Sequence, residues 1–115
     1  MVARRDLRAR PIAFTSARVE DLREKLRSEI LPARWPDLLY QFARGGLLLA
    51  RHDADLLTLA VELARDDRQA VEARLASGEL RRCLDEDART FQGNPAQRFQ
   101  FVIVQPWVLA QALQQ

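Results

Sequence analysis

The chain has 115 residues, 48% of them apolar and 30% charged, with a formal net charge of +2. That length accommodates one hydrophobic core, and the balance of residues is that of a folded globular protein, not a disordered or membrane-embedded one. The lone cysteine, Cys83, has no internal disulfide partner, no apolar run reaches the roughly 18 residues that span a bilayer, and a secretory signal is not apparent, so a reducing, cytoplasmic setting is expected.

In chain order, residues 1–14 contain Arg4, Arg5, Arg8 and Arg10 without any period, and Pro11 interrupts them. They read as a flexible basic arm, with residues 15–115 forming a single globular α+β domain. The charge divides accordingly. Residues 1–27 carry eight Lys/Arg against four Asp/Glu, whereas residues 28–115 carry ten against twelve.

Thr15 or Ser16 can cap a helix running to about Glu29. Its apolar residues Val19, Leu22, Leu26 and Ile30 fall at helical spacing, and Pro32 is expected to end it. Trp35-Pro36-Asp37 marks a second helix start, because proline suits the first helical position and an early acid suits the positive end of the dipole. Gly45-Gly46 stops that helix. Leu47 to Ala50 is a short apolar run of strand length.

Residues 53–65 form the strongest helical pattern, with Leu56, Ala60 and Leu63 on one stripe and Leu57, Val61 and Ala64 on the next. Asp66-Asp67 interrupts it and can cap a helix over residues 68–77, which Gly78 closes. Residues 79–84 suit an edge strand, and Asp85-Glu86-Asp87 opens a short helical turn through Phe91. Phe99, Phe101 and Ile103 alternate with Gln100, Val102 and Val104, so both faces are largely apolar, as in a central strand. After Gln105-Pro106, the segment from Trp107 to about residue 113 fits either a strand or a short helix.

Trp35 with Leu38, Phe42-Ala43-Arg44-Gly45 leading into Leu47-Leu48-Leu49, Asp55-Leu56-Leu57, Asp66-Asp67, Val71 to Gly78, and Val102 to Leu109 follow one another as an ordered set. In that order and spacing the chain resembles an uncharacterised bacterial family, domain of unknown function 2288, and these residues carry the resemblance. They span about residues 22–111. The most specific are the Phe42–Gly45 step and the closing Gln105-Pro106-Trp107-Val108-Leu109. Pro36, Ala73-Arg74 and the phenylalanine at 99 or 101 depart from the family pattern. The resemblance carries no active residue with it.

Chemistry-bearing residues are sparse. His52 and Cys83 are too few for a zinc site. Any Ser-His-acid arrangement must use His52 with Ser16, Ser28 or Ser77, none of them at a sharp strand-to-helix turn. The acidic pairs at Asp66-Asp67 and Asp85-Glu86-Asp87 could split their pKa values for acid/base work, but they fall where helix N-termini need caps. Neither a dinucleotide fingerprint nor a P-loop occurs. No cofactor, metal or catalytic residue is expected, and the chain is read as a non-enzyme.

The expected fold is α+β, with four or five helices on a small, mainly antiparallel three-stranded sheet centred on residues 98–104. Its element order is one that a winged helix would also give. The expected function is a non-catalytic interaction module that binds a protein partner or a second copy of itself. Trp35, Trp107 and Val108 are its candidate contacts, together with the surface of the helix over residues 53–65. The alternative is a winged-helix-type nucleic-acid binder using Arg68, Arg74, Arg81, Arg82 and the arm at Arg4 to Arg10, although Asp66, Asp67 and Glu72 dilute the basic charge that phosphate contacts require. No membrane association is expected.

Overall fold

A computed structural model describes residues 15–114, and the expected arm over residues 1–14 lies outside the described residues. Among the described residues, five helices and five strands follow one another in the order α1 (Thr15–Ser28), β1 (Leu31–Arg34), α2 (Trp35–Ala43), β2 (Leu47–Ala50), α3 (Leu56–Ala64), α4 (Arg68–Ser77), β3 (Leu80–Arg82), α5 (Asp85–Gln92), β4 (Arg98–Val104) and β5 (Trp107–Ala112). The strands form one sheet in the order β1-β4-β5-β2-β3. Only the β2–β5 pair is parallel, and its neighbours run antiparallel.

The expectation of three mainly antiparallel strands is corrected to five strands in a mixed sheet. Pro32 does not simply end the first helix. It lies within β1, opposite Gln100, on an edge strand where the missing N–H of a proline is tolerated. The middle strand is β5, not the expected segment 98–104, which lies one position towards the β1 edge as β4. The undecided segment after Pro106 is a strand because it is enclosed on both faces. Val108, Leu109, Ala110 and Gln111 are all buried. A parallel pair and helices on both faces also replace the winged-helix-like order.

Alternation along the strands sends side chains to two separate cores. On one face, Leu48, Ala50, Leu80, Val102, Val104 and Leu109 pack against α3, with Leu26 of α1 beside them. On the other, Leu47, Leu49, Phe99, Val108 and Ala110 pack against Trp35 and Leu38 of α2. An aromatic cluster fills this second core. Phe91 of α5 lies 5.3 Å from the Trp35 ring and meets Phe99 edge-on at 4.9 Å, a geometry that suits the ring quadrupoles. Trp35 Nε1 donates to Gln92 Oε1 at 3.0 Å, so its polar atom is satisfied.

Local chemistry sets the ends of the elements. Gly45 adopts φ +80°, and Gly46 N–H donates to Gln41 O at 3.0 Å, which closes α2 in a Schellman motif. Asp55 begins α3 by accepting from Leu57 N–H at 3.1 Å. The helix therefore starts at Leu56, after a turn over residues 51–54 whose last two residues the sequence reading included in it. The buried Gln111 ties that turn to the sheet. Its Nε2 donates to Arg51 O and Ala54 O at 2.8 and 2.7 Å, and its Oε1 accepts from Gln100 Nε2.

Candidate functional site

A groove of about 470 Å³ lies where the α3–α4 connection meets the β4–β5 turn. Its apolar surface comes from Leu63, Ala64, Val71, Pro106 and Trp107, and Asp66, Arg68, Glu72 and Gln105 stand around it. The β4–β5 turn, whose Gln105–Pro106 peptide bond is cis, places Trp107 at the start of the central strand. Arg82 lies over the Trp107 ring at 5.4 Å and donates from Nη2 to Gly45 O at 2.7 Å. Val108 N–H donates to Gly46 O at 2.9 Å. The two segments that carry the most specific family resemblance, Phe42–Gly45 and Gln105–Leu109, thus meet at this end of the sheet.

Two features mark the groove. Asp66 holds φ 55°, a left-handed conformation that disfavours any residue with a Cβ. It arises because Asp66 follows the last turn of α3, where Asp66 N–H reaches Leu63 O and Asp67 N–H reaches Glu62 O. A glycine would ordinarily stand there. In addition, the side chains of Asp66, Arg68, Glu72 and Gln105 have no hydrogen-bond or ion-pair partner among the described residues.

Nearby arginines are differently placed. Arg74 grips both carboxylate oxygens of Glu62, at 3.0 and 2.8 Å, and bonds Glu79 at 2.9 Å. These bonds, Glu62 first, raise its pKa. Arg81 makes two 2.7 Å bonds to Asp87, and the Arg81 hydrogen bonds are the main reason the Asp87 carboxyl titrates below its usual value.

Of the sequence-derived interaction residues, only Trp107 reaches the groove. Trp35 and Val108 are 3% and 5% exposed. Both belong to the second core, so they offer no contact surface, which corrects their assignment. The helix over residues 53–65 contributes only its last turn. Of the four arginines in the nucleic-acid alternative, Arg74 and Arg81 are neutralised by acids, Arg82 is held at Gly45 and Trp107, and Arg68, at the groove, is the one without a partner among the described residues. Glu72, Gln105 and the outward-facing Asp66 were not singled out as groove residues. The one sequence signal for them was an aspartate, in place of glycine, after a strong helix.

The remaining candidates are dispersed. His52 is exposed in the turn beside the Arg51–Asp53 pair. Asp67 caps α4 by accepting from Ala70 N–H at 3.2 Å, and Asp87 accepts Leu84 N–H at 2.8 Å at the start of α5. Burial pushes the Cys83 thiol up to about 11, with Asp87 adding to the effect, far from the range of a reactive thiolate. No group of three or more metal-ligating side chains occurs among the described residues, and none of the described helices is long and apolar enough to cross a membrane.

The family model for the protein of unknown function DUF2288 matches residues 21–112. The NMR solution structure of PA1075 from Pseudomonas aeruginosa is similar, with a TM-score of 0.69 and 36% sequence identity, covering 79% of this chain and 83% of that one. No curated protein matches the chain.

Proposed function

The chain belongs to the DUF2288 family, and from that premise we propose that it is a non-catalytic protein-interaction module of the cytoplasm, with the Trp107 groove as its contact site. The observation that carries this reading is the convergence of a half-buried tryptophan with unengaged polar side chains. Around the groove, Asp66, Arg68, Glu72 and Gln105 are left without partners among the described residues. A half-buried tryptophan within a ring of free hydrogen-bonding groups suits a peptide segment that brings both an apolar anchor and polar flanks. The partner is a protein segment with an apolar side chain for the Trp107 floor, a basic group towards Asp66 or Glu72, and an acidic group towards Arg68.

Site-specific photo-cross-linking in the native cytosol tests this. A photoreactive residue at Glu72 should yield a discrete protein adduct that an unlabelled chain competes away. The same residue at Glu86, on α5 and across the sheet, should not yield it. Equal adducts at both positions, or none at Glu72, would overturn the proposal. Nucleic-acid binding is the weaker reading, because the arginines it needs are mostly engaged within the fold.

A further inference from the structure

Away from the groove, at the β1 edge of the sheet, Arg34 stands directly opposite Arg98 in the β1–β4 ladder. Opposed side chains in an antiparallel pair have Cβ atoms about 5 Å apart, and like charges there destabilise the sheet. Neither arginine has an acidic partner among the described residues. Arg34 reaches only Pro95 O, at 3.5 Å, and the Arg98 side chain has no hydrogen-bond partner among them. Arg23, Arg27, Arg51, Arg74 and Arg81, by contrast, all have acids in ion-pair range.

Both arginines line a hollow of about 310 Å³, with Pro32 and Leu113 as apolar walls. Asp37 also lines it, but Asp37 Oδ2 accepts Arg34 N–H at 2.9 Å and is committed to the start of α2. Two arginines against one carboxylate leave the hollow positive. Two guanidinium forks lining one hollow match the oxygens of one tetrahedral oxyanion, which would replace their mutual repulsion with charge-assisted hydrogen bonds. We infer that this hollow binds a phosphate group, either free or carried on a small organic molecule.

Thermal melting of the full chain tests the inference, with inorganic phosphate or phenyl phosphate replacing chloride at constant ionic strength. Inorganic phosphate at about ten times its Kd should raise the Tm of the unmodified chain by several degrees. Arg98→Gln should melt higher than the unmodified chain in chloride, because the repulsion is relieved, and should gain nothing from phosphate. Arg34→Gln should lose the phosphate response in the same way. A larger rise with phenyl phosphate assigns an organic phosphate to the site, and equal rises assign free phosphate. No rise in the unmodified chain, or the same rise in all three proteins, overturns the inference.

Discussion

Asp66 combines backbone strain with a carboxylate that has no partner among the described residues. Left-handed backbone costs most residues about 1–2 kcal/mol, and aspartate pays somewhat less than that. Asp66→Gly should therefore stabilise the fold by up to about 1 kcal/mol in urea unfolding, while weakening whatever the groove binds. A gain in stability with unchanged binding would make the carboxylate irrelevant to the groove. Asp87 is the opposite case, a fully engaged acid. Its carboxyl titrates below the ordinary value of 3.8, chiefly through the Arg81 hydrogen bonds. Its stabilising contribution is thus complete above pH 4 or so and is lost as the pH falls through the depressed folded value. Asp87→Asn should lower stability at pH 7 by about 1–2 kcal/mol and flatten the acid limb of a stability–pH curve. The capping of α4 by Asp67 and the acid-rich start of α5 were legible in the sequence, because acids before a helix have few other uses. The exposed position of Asp66 at the groove was not, since it follows from a left-handed turn that no spacing rule specifies.

Most elements could be read from periodicity and punctuation. The helices α2 and α4 and the strands β2 and β4 stand within a residue or so of their expected positions, because glycines and prolines mark their ends. What the sequence obscured was β1 and the role of β5. A proline in a four-residue segment reads as a helix stop, and only the pairing of Leu31 to Arg34 with β4 reveals a strand. In β5, apolar residues fall on both faces without alternation, so strand and helix fit the pattern equally well until its neighbours enclose it. Two outcomes follow at this scale. Phe99 is fully buried beneath Trp35 and Phe91, so Phe99→Ala should cost about 3–5 kcal/mol in denaturant unfolding. Pro32 lies on an exposed sheet edge, where proline discourages pairing with another chain. Pro32→Val should therefore promote concentration-dependent self-association in sedimentation velocity, and unchanged sedimentation would assign the protection of that edge to other residues.

Across the whole molecule, a sheet covered on both faces provides a rigid frame, and the groove forms where the connections at one end converge. The sequence named Trp107 but could not show that Gly46, Gln105, Asp66 and Arg68 surround it, because the α2–β2, α3–α4 and β4–β5 connections are distant along the chain. Their meeting follows from the parallel alignment of β2 with β5, which a reading based on three antiparallel strands did not contain. The central claim is that this end of the sheet is a protein-docking groove. The most direct measurement is a backbone amide chemical-shift map recorded while the partner captured through Glu72 is added to the chain. The account predicts saturable shifts concentrated in residues 63–72 and 105–107, abolished by Arg68→Glu. Shifts centred on the β1–β4 edge or on α5, or shifts unaffected by that substitution, would contradict it.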